Sequence, residues 1–164
     1  MPRCLYFGRM KRRCSRWLEE FVSTLERAVA IAAQAHAGQC DKAGAPYLLH
    51  PLRVMLAQTS NTARIVAALH DVVEDCPGWD FERLRAEGFD DTVLAALDAV
   101  TQRQGEDYFD FVRRAAANPI GRAVKRADLI DNSDLSRMAT PAPRDFLRLA
   151  RYRQALAWLE SLES

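Results

Sequence analysis

His70 and Asp71 stand side by side in the run Ala67-Ala68-Leu69-His70-Asp71-Val72-Val73-Glu74-Asp75, where an apolar helical stretch suddenly presents four groups able to bind a metal or move a proton. A neutral imidazole beside a carboxylate suits a divalent ion such as Mn, Fe, Co or Zn. Ions of that kind hydrolyse phosphate esters. The pair has company: Leu49-His50-Pro51 lies upstream, and Lys125-Arg126-Ala127-Asp128-Leu129-Ile130-Asp131-Asn132 lies downstream. Neighbouring side chains on one helix diverge by about 100°, so a single helix cannot close a coordination sphere. Further ligands have to come from other elements.

Four ordered blocks carry more weight than a lone His-Asp pair. They are Ala35-His36-Ala37-Gly38-Gln39, then Asp41 to Pro51, then Leu69 to Asp75, then Lys125 to Asn132. With this spacing the chain resembles the HD superfamily of metal-dependent phosphohydrolases, and most closely the hydrolase domain of the RelA/SpoT family, which removes the 3′-diphosphate of the guanosine alarmone ppGpp. The resemblance implies an all-α fold, a compact helical bundle with a central metal site. It implies His50, His70, Asp71 and Asp128 as ligands of one divalent ion, Mn first, with Fe, Co or Zn also suited. It makes Glu74 and Asp75 the catalytic pair outside the metal shell, Lys42 a phosphate contact, and Asn132 a ribose or phosphate contact. His36 falls outside the ligand set and reads as a structural residue.

The chain departs from the alarmone hydrolases where they grip the nucleotide. Asp41 replaces an Arg that stacks on guanine, Ala45 replaces a Glu, and the familiar Arg-Leu-His-Asn after the last ligand reads Leu129-Ile130-Asp131-Asn132. Further on, Asp134 replaces an Arg and Leu135 a Thr. Lost positive charge weakens the hold on a polyanion. The expected activity is therefore cleavage of a phosphate or diphosphate ester, with ppGpp the leading substrate. The alternatives are a hydrolase of another nucleotide or small phosphoester, and a metal-binding regulatory module without turnover.

The 164 residues suit one domain with a real core. Ala and Leu together number 44 against 14 for Val and Ile, a balance that favours helix over sheet. Residues 1–17 carry six Lys or Arg and no acid, which leaves the rest near −5 although the net charge is +1. Residues 1–17 are read as a basic tail and 18–164 as the HD domain. Nucleic acid is not an expected partner; a small phosphorylated substrate, a nucleotide first, is. Cys4, Cys14, Cys40 and Cys76 lack Cys-x-x-Cys spacing and read as free thiols. No run approaches the ~20 apolar residues of a membrane span, so the expected setting is the cytoplasm.

Helical periodicity and punctuation divide the chain further. A first helix is expected over Leu18–Ala37, ended by Gly38. His50 is expected at a loop-to-helix junction ahead of a helix to Gln58, and Asn61 as the N-cap of a helix running unbroken to Asp75. Later helices are expected over Asp80–Ala86, Asp91–Thr101, Tyr108–Ala117 and Ile120–Met138. A last one over Arg144–Leu162 carries the packing stripe Phe146, Leu149, Tyr152, Leu156 and Leu159.

Overall fold

The computed structural model describes residues 23–138 and 140–162. The basic tail, Cys4, Cys14 and the start of the expected first helix lie outside them. The all-α reading holds. The described residues form α1 (Leu25–Ala35), α2 (Leu49–Leu56), α3 (Asn61–Leu69), α4 (Val72–Asp75), α5 (Phe81–Ala86), α6 (Asp91–Val100), α7 (Tyr108–Ala117), α8 (Pro119–Ser133), a 3₁₀ turn (Leu135–Arg137) and α9 (Pro143–Ser161). Among them there is no strand, and one isolated antiparallel bridge joins Cys40 to Pro46.

Helix α3 is the hub. It buries Ala63 and every residue from Ile65 to Leu69, and a helical stretch apolar on all sides belongs inside. Helices α1, α2, α6 and α8 pack around it, with Ile31, Val54, Leu97 and Val124 filling the space between. Its small residues Ala67 and Ala68 let those neighbours approach. A second cluster of Val112, Ala116, Leu129, Ala155 and Leu159 seats α9 on α7 and α8.

Local chemistry sets the boundaries, and several differ from expectation. Ser60, not Asn61, caps α3: its Oγ accepts from the Ala63 amide at 3.1 Å. Thr24 caps α1, and Gly38 beyond its end takes φ +80°, the left-handed conformation glycine tolerates. The expected unbroken helix to Asp75 instead stops at Leu69, and His70-Asp71 form a turn before α4. There the Ala67 carbonyl, which an amide four residues on would use in a continuous helix, lies 2.8 Å from His70 Nδ1. The helix expected to reach Met138 ends at Ser133, where Asp134 turns the chain and caps the 3₁₀ turn through the Ser136 amide. In α9 the stripe runs through Leu149, Tyr152, Ala155 and Leu159, while the expected Leu156 is only half-buried and Phe146 points largely to solvent.

Candidate metal centre and its cavity

Three elements meet at one point. The first turn of α2 supplies His50, the turn after α3 supplies His70 and Asp71, and the middle of α8 supplies Asp128. Donor atoms of His50, His70 and Asp71 lie within 4.8 Å of one another. Asp71 Oδ2 is 3.5 Å from His50 Nε2 and 3.2 Å from His70 Nε2. Asp128 Oδ1 stands 3.3 Å and 3.7 Å from the same two nitrogens. The four residues named from the sequence thus face one another.

Charge and burial at this point favour a cation. His70 Nε2 is buried yet meets no hydrogen-bond geometry, an arrangement that wastes a lone pair unless something positive sits before it. Burial works against charge on His50, but hydrogen bonds to Asp128 and Asp131 and the field of Asp71 push its pKa up to about 10. His70 shifts the same way, as Asp71 and Asp128 outweigh desolvation. Desolvation opposes ionisation of Asp128 too, but Lys125 and the two imidazoles hold its carboxyl well below the usual range; Lys125 Nζ is 2.8 Å from Asp128 Oδ2. Two imidazoles and two carboxylates form a donor set suited to one divalent transition-metal ion.

The surroundings orient these groups. Tyr47 Oη donates to Asp71 Oδ2 at 2.7 Å, and its own proton is held tightly by burial and by Asp71. Behind Tyr47 lies His36, buried, with its ring centroid 4.9 Å from the tyrosine ring and its Nδ1 2.8 Å from Gln39 Oε1. That contact fits the structural role expected of His36. Of the expected free thiols, Cys76 is buried 3.4 Å from the same nitrogen and Cys40 is exposed. Asn132, one turn beyond Asp128, donates its amide to Asp128 Oδ1 at 2.5 Å.

Tyr47, His50, His70, Asp71 and Asp128 line a cavity of about 410 Å³, and so do Glu74, Asp75, Lys42 and Asn132. Burial, with Asp71 nearby, pushes the Glu74 and Asp75 carboxyls above their ordinary pKa. Glu74 Oε2 accepts from the Gln102 amide at 2.9 Å. The loop carrying Gln102 is stapled by Arg114, which donates to the Thr101 carbonyl at 2.8 Å and to both Glu106 carboxylate oxygens at 2.7 Å.

Sequence reasoning passed over part of the lining. Arg53, Arg137 and Arg148 bring positive charge to the cavity, and Tyr108 and Phe111 bring aromatic surface. A bound divalent ion would therefore not be the sole source of positive charge in the cavity. Arg53 lies one helical turn from His50, and Tyr47 lies inside a block already singled out; those positions were the available signals. The two intrusive acids are also less free than expected. Asp41 Oδ1 accepts from the amides of Ala43 and Ala45, both at 2.9 Å, and Asp134 Oδ1 accepts from the Ser136 amide at 2.9 Å.

Comparison with known proteins agrees with the geometry. A family model described as "HD domain" matches residues 28–161. The chain is 34% identical over 133 residues to a probable GTP pyrophosphokinase of Mycobacterium leprae, covering 73% of this chain and 17% of that one. It is 39% identical over 80 residues to a guanosine-3′,5′-bis(diphosphate) 3′-pyrophosphohydrolase of Borreliella burgdorferi, covering 46% and 12%. It is 30% identical over 120 residues to the protein of that same name from Aquifex aeolicus, covering 66% and 17%. The chain thus spans less than a fifth of the length of these curated relatives. A solved structure, described as a metazoan ortholog of SpoT that hydrolyses ppGpp, superimposes with a TM-score of 0.67 at 20% identity over 88% of both chains. Matched along most of its length, and with its histidines and aspartates gathered at the heart of a shared helical fold, this chain belongs to the HD domain family.

Proposed function

We propose that the chain is a metal-dependent phosphohydrolase that cleaves a phosphate or diphosphate ester, with the 3′-diphosphate of ppGpp as its leading substrate. One observation carries the reading: two imidazole nitrogens and two carboxylates converge in a cavity that also holds two carboxyls of raised pKa. His50, His70, Asp71 and Asp128 would hold one divalent ion, Mn first. Such an ion, when bound, lowers the pKa of a coordinated water and offsets phosphate charge. The names of the curated relatives support the alarmone as substrate, and the absence, among the described residues, of any helix long and apolar enough to cross a membrane fits a cytoplasmic setting.

Within this reading, Glu74 and Asp75 manage the proton. A raised carboxyl pKa brings a side chain closer to the working pH of a general acid or base. One of the two takes a proton from the attacking water as its oxygen bonds to phosphorus. The bond between phosphorus and the ribose 3′ oxygen breaks, and the proton passes to that oxygen, giving GDP and pyrophosphate. Lys42 and Asn132 contact substrate phosphate or ribose, and Arg148 and Lys125 add positive charge to the same cavity.

A second reading, hydrolysis of a smaller or differently decorated phosphoester, is favoured by Asp41, Asp134 and Leu135 on the cavity wall. The deciding measurement is kcat/KM for ppGpp against nucleotides and simple phosphoesters in Mn-containing buffer, with the D71A variant as purity control. We expect pyrophosphate release from ppGpp with a raised KM. Faster turnover of another phosphoester would install the second reading, and no metal-dependent turnover of any would leave a binding module.

A further inference from the structure

Behind His50, on the side turned away from Asp71 and Asp128, stands another carboxylate. Asp131 Oδ2 lies 2.7 Å from His50 Nδ1. The same carboxylate accepts from Arg53 Nε at 2.6 Å and Nη2 at 3.0 Å, and from Arg137 Nη1 at 2.9 Å. Arg137 Nη2 also donates to the Asp131 backbone carbonyl at 2.7 Å. The Asp131 side chain is 10% exposed, so these are contacts of an enclosed group, fixed by two guanidiniums that come from α2 and from the 3₁₀ turn.

The hydrogen-bond inventory settles the direction of the first contact. An ionised carboxylate only accepts, so the hydrogen between it and His50 belongs to Nδ1. In the neutral ring Nε2 is then the lone pair, and it faces Asp71 and Asp128. His70 is arranged alike but more weakly, because its Nδ1 rests on the neutral carbonyl of Ala67 at 2.8 Å. The two imidazoles thus have unequal backing, an anion behind one and a peptide dipole behind the other.

We infer that Asp131, clamped by Arg53 and Arg137, is a positioning residue that fixes the ring and tautomer of His50 and strengthens its hold on a divalent cation. The inference rests on the reading of His50, His70, Asp71 and Asp128 as the cation-holding set. A carboxylate behind a ligating imidazole raises its basicity as a donor, and removing such a partner typically costs about 10- to 100-fold in metal affinity. A merely structural tie between α2 and α8 would instead lower stability and leave affinity alone.

The test is a titration of metal-free protein with Mn²⁺, free ion being read from its electron paramagnetic resonance signal, for wild type, D131N, R53M and H70A. We expect D131N to weaken Mn²⁺ binding by about 10- to 100-fold, R53M to weaken it much less, and H70A to abolish it. Near-wild-type affinity in D131N while H70A has lost binding would overturn the positioning role and leave the cation set standing. Wild-type affinity in D131N and H70A alike would remove both. Should D131N fail to fold, ¹⁵N shifts of the histidines in Zn²⁺-loaded wild-type protein decide the matter. A hydrogen on His50 Nδ1 supports the role, and a bare Nδ1 overturns it.

Discussion

Glu74 and Asp75 are neighbours in sequence but differ in what holds them. Glu74 is fixed by the Gln102 amide, while Asp75 lies in the field of Asp71. Both line the same cavity as the proposed cation-holding set, and on that reading coordination and proton transfer are separable. Glu74→Gln keeps an oxygen for the Gln102 amide, and Asp75→Asn keeps the shape of its side chain, so neither variant has cause to unfold. Each is expected to keep Mn²⁺ affinity close to wild type and to lose about 10²- to 10⁴-fold in kcat, the usual cost of a missing general acid or base. Mn²⁺ titration and steady-state kinetics on one substrate check both halves. Wild-type kcat in the two variants would end their assignment to proton transfer.

At the scale of elements, the site depends on where α8 lies, because Lys125, Asp128, Asp131 and Asn132 all ride on it. Its first turn is pressed against its neighbours at Gly121. A Cβ there would come within 2.9 Å of the Ala115 carbonyl and 3.2 Å of Ala99 Cβ. Ala is the better helix former by about 1 kcal/mol, yet crowding a packed interface costs about 1–3 kcal/mol. The backbone oxygen cannot swing aside as a flexible side chain would, so crowding prevails. Gly121→Ala should lower Tm by a few degrees and weaken Mn²⁺ binding as α8 shifts; a Tm at or above wild type would show that the interface yields. This close approach was not legible in the sequence, where Gly121 reads as a weak spot in a helix. The existence of the helices was legible, since their apolar periods and caps are local. The break at His70 was not, because a histidine side chain occupies a backbone acceptor there. The residues of the candidate site were legible by type and spacing. Their supports were not: His50 meets Asp131 across 81 positions, and Arg53 meets it across 78. Local pattern carries no information about a pairing at that range.

For the whole molecule, the gathering of Asp71 and Asp128 about two buried imidazoles has a thermodynamic consequence. A divalent ion taken up by the folded chain and not by the unfolded one stabilises the fold by mass action, about 2.7 kcal/mol when its concentration is a hundred times the dissociation constant. In a domain of this size each kcal/mol moves Tm by about 2–4 °C. Saturating Mn²⁺ should therefore raise the Tm of metal-free protein by several degrees, and a chelator should reverse the rise. The donors also rank the ions. Imidazole nitrogens favour later transition metals over hard oxygen-seeking cations, so at equal concentration Mg²⁺ should stabilise least, Mn²⁺ more, and Co²⁺ or Zn²⁺ most. The working ion then follows from supply and catalytic competence as much as from affinity. Scanning calorimetry of wild type and D71A across these ions is the measurement. Equal shifts for Mg²⁺ and Mn²⁺ would mean that the imidazoles are not ligands, and an undiminished Mn²⁺ shift in D71A would mean that the stabilising ion binds elsewhere on the fold.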